Sequence, residues 1–311
     1  MVLPDHGDLV TSAALSPDGR QVITASKDGA RVGPSDGSAP PEKLTLSRVD
    51  ETGQPLSLLG VLGAGYSPDG SRLVTTSSDD AARVWRTDRT SDPVELRHDA
   101  AVSSASFSPD GEWVVTVSKD ETARVWRADR ASDPVELRHD ASVSSASFSP
   151  DGERVVTASD DETARVWRTD GAGEPIVLRH NGQVYSASFS PDGGQVVTTL
   201  RTSPDDREIW VLSADGTGEP LKLGNEDMRW RSAAFTRGRA LILGTFPSGV
   251  HVVSLNPEDY VAYLWRSTPY CLPQERRTIY LGETDEQARE HAASCREIVA
   301  QYAAHGAYRR V

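Results

Sequence analysis

The sequence predicts an all-β fold of six four-stranded antiparallel sheets, arranged as the blades of a propeller and followed by a small C-terminal α-helical appendix. Three observations predict it. Ser91–Ala131 is followed at once by a near copy, Ser132–Ala172, and the two agree at 35 of 41 positions. Self-similarity at one fixed period marks an array of equal structural units, none of which buries its apolar face alone. Each copy also holds four short apolar runs, which in the first are PVELRH, AVSSASFS, EWVVTVS and TARVWR, with turn clusters between them. A strand and its turn take about ten residues, so one copy makes one four-stranded sheet. Finally, the turn Ser-Pro-Asp-Gly recurs, beginning at Ser16, Ser67, Ser108, Ser149 and Ser190. A degraded sixth unit follows at Ser232–Gly238.

The inner runs are apolar at nearly every position, as at Val114 and Val115, although neighbouring strand residues face opposite ways. Sheets buried on both faces lose the polar-out alternation, so stacked blades account for the pattern. The small residues of Ser103–Ser106 and Ser144–Ser147 suit an innermost strand, where blades crowd around an axis.

The first interval between turns is 51 residues where the others are 41. Gly53-Gln54-Pro55 resembles Gly173-Glu174-Pro175, and counting back from it makes Lys43–Ser47 the fourth run of repeat one, the counterpart of TARVWR and so the third strand counted from the run AVSSASFS. The excess then falls in Lys27–Glu42, read as an inserted loop, a binding arm or drift after duplication. The rival reading takes Ala30-Arg31-Val32-Gly33 as that strand, because it copies Ala-Arg-Val-Trp. In repeat two, Gly60 is placed at the His position. Repeat five is two residues longer over Leu200–Glu208. Met1–Asp5 is expected to serve as the outer strand of the last blade; Pro4 is tolerable on an edge strand. Residues 1–255 thus form the propeller and 256–311 the helical extension. That extension opens on Asn256-Pro257-Glu258-Asp259, an N-cap followed by proline and acids. A later capping box at Thr284–Gln287 precedes an apolar side of Ala288, Ala292, Cys295, Ile298, Val299 and Tyr302.

His98, Ser108-Pro109-Asp110-Gly111, Asp120 and Arg124-Val125-Trp126 together resemble the WD40 repeat, with Trp-Arg where the family usually ends Trp-Asp. The resemblance covers roughly residues 1–255. The tail, with its stretch WRSTPYCLPQERR, resembles the appendix of WD40 arrays C-terminal in bacterial signalling NTPase and kinase proteins. What the WD40 resemblance implies is a bonded tetrad, Trp to Thr to His to Asp: His98, Thr116, Asp120 and Trp126 in one repeat, His139, Thr157, Asp161 and Trp167 in the next. A buried indole and a buried carboxylate each need a partner, and such a chain supplies both. A His–Asp–Thr trio also has the composition of a hydrolase triad, but a nucleophile needs one site and this set recurs.

Acidic residues exceed basic ones by 13 and the pI is about 5, which disfavours nucleic-acid binding. With no apolar run near 18 residues and no basic, apolar leader, the expectation is a cytoplasmic protein without membrane contact. Two cysteines, Cys271 and Cys295, are too few for a disulfide scaffold. The turn aspartates are spread around the array, so no metal is expected, and no phosphate loop points to a cofactor. Serine-peptidase propellers carry an α/β-hydrolase domain with a nucleophile elbow, and none is expected here.

The expected function is therefore a non-catalytic scaffold or adaptor that binds protein partners through its surface. Lys119, Asp160, Tyr185, Arg229 and Trp230 are candidate contacts on the face of the His loops. Trp113, replaced by Arg154 in the copy, is a candidate on the opposite rim. The alternatives are a sensor or autoinhibitory module of a bacterial signalling system and, from another class, a propeller hydrolase using His98 or His139.

Overall fold

The computed structural model describes residues 6–49, 55–57, 60–203, 207–223, 229–235, 240–246 and 249–254. The predicted edge strand Met1–Asp5 and the predicted helices beyond Asn256 lie outside them. The chain divides into two compact units, Met1–Val252 and Val253–Val311.

Five four-stranded antiparallel sheets follow one another in a WD40-like arrangement. Sheet one is β1 (Val10–Leu15), β2 (Gln21–Ser26), β3 (Gly29–Pro34) and β4 (Glu42–Lys43). A two-stranded ribbon, β5 (Thr45–Val49) and β6 (Pro55–Ser57), comes next. Sheet two is β7 (Val61–Tyr66), β8 (Arg72–Ser77), β9 (Ala81–Arg86) and β10 (Val94–Arg97). Sheet three is β11 (Val102–Phe107), β12 (Trp113–Ser118), β13 (Thr122–Arg127) and β14 (Val135–Arg138). Sheet four is β15 (Val143–Phe148), β16 (Arg154–Ser159), β17 (Thr163–Arg168) and β18 (Ile176–Arg179). Sheet five is β19 (Gln183–Phe189), β20 (Gln195–Arg201), β21 (Arg207–Ser213) and β22 (Leu221–Leu223). β23 (Arg229–Phe235), β24 (Ala240–Phe246) and β25 (Gly249–Ser254) form a three-stranded sheet.

The core is a series of layers between successive sheets, which is why it is built from small apolar residues. Val74, Val84 and Leu96 of sheet two meet Val102, Val114 and Trp126 of sheet three. Val115, Val125 and Leu137 of sheet three meet Val143 and Val155 of sheet four. Neighbouring Val114 and Val115 thus serve two different layers. Polar clamps cross the same gaps. Arg124 donates to the Arg97 carbonyl at 2.9 Å and Arg165 to the Arg138 carbonyl at 3.0 Å, each tying the end of the preceding outer strand. Sheet one differs at its leading face: Val10 is 46 % and Leu15 62 % exposed, whereas Val102 and Val143, at the position of Val10, are buried.

The Ser-Pro-Asp-Gly turns are closed from within. The Gly111 N–H donates to the Ser108 carbonyl at 2.9 Å, and the Glu112 N–H to Asp110 at 2.9 Å. Gly111 has φ 72°, a conformation a side chain resists. Among sheets two to four, the hairpin after the second strand puts Asp80, Glu121 and Glu162 at positive φ.

Three sequence expectations are overturned. The third strand of repeat one is Gly29–Pro34, paired with β2 from Gln21 opposite Pro34 to Ser26 opposite Gly29. Lys43–Ser47 is not that strand, and Lys27–Glu42 is not an inserted loop, since it holds β3 and the approach to β4. A tight turn between adjacent strands costs less chain entropy than a long excursion before pairing, so the nearer strand wins. The extra residues of repeat one follow β4, at the ribbon. Gly60, φ 66°, accepts from the Ser78 N–H as Ala101 does from the Lys119 N–H. It therefore stands at the place of Ala101, three residues past the His position.

In sheet five β21 is displaced by two residues. Thr198 lies opposite Trp210, whereas Thr116 lies opposite Arg124 and Val114 opposite Trp126. Leu212, opposite Val196, holds the tryptophan position. The longer hairpin pairs Leu200 with Glu208 and Arg201 with Arg207, and that extended pairing moves Trp210 out of place.

Candidate functional site

The side chains with chemistry gather at one end of the sheets, where the loop before each first strand meets the turn after the second. In sheet three the indole Nε1–H of Trp126 donates to Thr116 Oγ1 at 2.8 Å. Thr116 Oγ1 lies 2.7 Å from His98 Nε2, and His98 Nδ1 lies 2.9 Å from Asp120 Oδ2. A carboxylate only accepts, so Nδ1 carries the proton and Nε2 accepts from the threonine hydroxyl. The chain runs one way, Trp to Thr to His to Asp. Asp120 also accepts from the Asp99 N–H at 3.0 Å, the Thr122 N–H at 3.0 Å and the Thr122 hydroxyl at 2.6 Å. Sheet four repeats the set, with Trp167 to Thr157 at 2.9 Å, Thr157 to His139 at 2.7 Å and His139 to Asp161 at 2.8 Å.

Burial holds the His98 and His139 imidazoles below their ordinary pKa, so both are neutral at pH 7. Burial would raise the carboxyls of Asp120 and Asp161. Hydrogen bonds from Thr122 and Thr163, with the histidines beside them, outweigh it and bring both down to about 2. These depressed values make folding sensitive to acid. Their contribution is complete above the unfolded carboxyl pKa near 4 and is lost as pH falls from there through about 2. Unfolding followed by tryptophan fluorescence is expected to weaken across that window, and a D120N/D161N double variant is expected to show a flatter acid limb.

Other repeats carry fragments of the set. In sheet one His6 reaches Asp28 at 2.8 Å and Thr24 at 2.7 Å, but Gly33 holds the tryptophan position. A Cβ there would lie 2.7 Å from the Pro41 side chain, so the site has no room for a ring. In sheet two Trp85 donates to Thr75 at 3.0 Å, while Asp79 pairs with Arg83 at 2.7 Å. In sheet five neither His180 nitrogen nor Thr198 Oγ1 has a partner, although all three atoms are buried, and the Trp210 indole donates to Glu208 at 2.8 Å instead.

The candidate contact residues fall into different surroundings. Lys119 is exposed and Asp160 partly exposed, at equivalent turns of sheets three and four. Tyr185 is 50 % exposed, with the Arg207 guanidinium 5.0 Å from its ring centre. Arg229 and Trp230 lie on β23, and their side chains are outside the described residues. Trp113 is only partly exposed. It packs against the layer between sheets three and four, and Arg127 covers its ring at 4.9 Å. Its counterpart Arg154 is turned toward sheet five, donating to the Gly193 carbonyl at 2.8 Å, as Arg72 does to Gly111 at 3.2 Å. The Trp-to-Arg exchange thus changes an inter-sheet contact rather than an outward one.

Gly33-Pro34-Ser35-Asp36-Gly37 spells the G-x-S-x-G pattern, against the expectation of no nucleophile elbow. The structure places it on the turn after β3, with no helix behind it. The Ser35 hydroxyl donates to the Gly19 carbonyl at 2.6 Å, so the string lacks the strand-to-helix setting that activates such a serine. Among the described residues no group of three or more metal-ligating side chains converges, and no helix is long and apolar enough to cross a membrane.

Residues 1–30, 56–86, 93–127 and 135–168 match the family model described as WD40, the WD domain, G-beta repeat. Four segments of the chain thus match the WD40 repeat; such repeats commonly mediate protein–protein interaction and build domains that are typically non-catalytic. No curated protein matches the chain.

Proposed function

We propose that this chain is a non-catalytic scaffold or adaptor that binds protein partners at the end of the sheets where the His loops and hairpin turns lie. In this reading β23–β25 supply the sixth blade, the tetrads only fasten each blade, and the protein works in the cytoplasm without cofactor or nucleic acid. One observation carries it. The polar groups that resemble a triad are spent on one another: Thr116 and Thr157 are fully buried, and each hydroxyl meets an indole, an imidazole and a carbonyl. A nucleophile must reach a substrate, and these hydroxyls reach none. The variable, exposed Lys119 and Tyr185 stand at the same end and are free to specify a partner.

Capture from a cell extract by the immobilised chain tests the proposal. Y185A is expected to lower recovery of a retained protein about tenfold, an ordinary effect for an aromatic contact. K119D, which copies the neighbouring repeat, is expected to alter retention at low salt more than at high salt. Full retention by both variants would move the binding face elsewhere. Stoichiometric labelling of Thr116 or Thr157 by an electrophilic hydrolase probe would return the hydrolase reading.

A further inference from the structure

Sheet five holds a buried histidine that, among the described residues, meets no acid. In sheets one, three and four the His loop meets a carboxylate, and the residue after the histidine donates its N–H to the same carboxylate. His180 has the same backbone position, its N–H donating to the Glu162 carbonyl of sheet four at 3.0 Å, as the His139 N–H does to Glu121. Yet both ring nitrogens and the Thr198 hydroxyl lack partners within the buried space, and the ring packs against Trp210 with centroids 4.9 Å apart. Thr198 itself is 0 % exposed.

The described charged groups around this ring are committed elsewhere. Glu208 on β21 accepts from the Trp210 indole, and Lys222 on β22 sits 4.2 Å over the far ring. In sheet four Asp161 and Arg165 pair at 2.9 Å, and Glu162 offers His180 its carbonyl alone. Arg201 at the end of β20 bonds Gln183, and Arg207 lies against Tyr185. None of them is bonded to the imidazole.

We propose that His180 is a proton-operated release for the fifth sheet: protonation forces the ring out of its buried place beside Thr198 and Trp210 and loosens the junction of sheets four and five. An imidazolium needs an acceptor for each N–H, and no protein group bonds either His180 nitrogen. In His98 and His139 an added proton lands on Nε2, against the Thr116 or Thr157 hydroxyl, and the Asp120 or Asp161 carboxylate at Nδ1 offsets part of the charge, so burial costs these rings less than it costs His180. The direction agrees with the titration of the group, since burial pushes His180 down to about 4. A histidine freed by local opening titrates near 6.5, so opening is favoured as pH falls from about 6.5 toward 4. Near neutral pH the group is silent in both states.

Amide hydrogen exchange of the full chain at pH 7.4 and pH 5.0, corrected for intrinsic exchange rates, tests this. Peptides of β19–β21 are expected to lose protection on the order of tenfold more than peptides of β15–β17. H180F, which fills the space without a charge, is expected to abolish that difference, and H180Q serves where the phenylalanine variant does not fold. H139F, by contrast, is expected to weaken sheet four at both pH values. Equal loss in the two sheets of the wild-type chain overturns the proposal. So does a difference that persists in H180F or H180Q.

Discussion

Trp126→Ala is expected to unfold this protein at a markedly lower temperature, with a loss of about 4 kcal/mol, the range for removing a buried large aromatic. The ring is 6 % exposed and sits in the layer where sheet three meets Val74, Val84 and Leu96 of sheet two. Its removal leaves a cavity between sheets and takes the donor from Thr116. Trp126→Phe separates the two losses. It keeps most of the packing and gives up only the indole N–H, so about 1 kcal/mol is expected to remain. Thermal unfolding by circular dichroism measures both variants. A smaller effect of the alanine variant than of the phenylalanine variant would falsify the packing account.

Asp120→Ala is expected to cost about 3 kcal/mol, as breaking a buried charged partnership does when the other side stays behind. The carboxylate takes hydrogen bonds from His98, the Asp99 N–H and both donors of Thr122, and Arg124 lies 3.3 Å away. Removing it takes the acceptor from His98, the Asp99 N–H and Thr122 at the junction of the loop with the hairpin, while Arg124 keeps Asp99 and the Arg97 carbonyl. Asp120→Asn keeps the shape and is expected to lose less. Coupling with His98→Ala in a double-mutant cycle is expected to be well below additive, because either change breaks the same chain. Strict additivity of the two losses would show that the His–Asp contact fastens nothing.

Strand identity was legible because each strand of the repeat is a run the sequence marks twice. Wherever the copy is close, as in sheets three and four, apolar runs and turn residues placed the pairing. The tetrad residues stand out for the same reason: a Trp, a His and an Asp at constant spacing. Legibility failed where the chain departs from the period. In repeat one a short Gly-Gln-Pro likeness outweighed Ala-Arg-Val-Gly, although a strand pairs with its nearest competent neighbour. In repeat five the chain keeps a His, a Thr and a Trp, His180, Thr198 and Trp210, on a hairpin two residues longer than the others. The two extra residues of Leu200–Glu208 are visible in the chain, but not that they lengthen the pairing rather than the turn, which turns Trp210 from Thr198 to Glu208.

The sequence by itself determined the kind of fold, because alternating strand and turn signals at one period leave few other ways to bury so many valines on both faces of short sheets. Only the tertiary structure decided which side chains meet. Trp113 and Arg154 look like surface residues in the chain but sit between sheets. His180 looks like its sisters and yet lacks their acid. Both outcomes depend on groups far off in sequence brought within a few ångströms, and on registers set by the total pairing of a sheet rather than by any one of its residues.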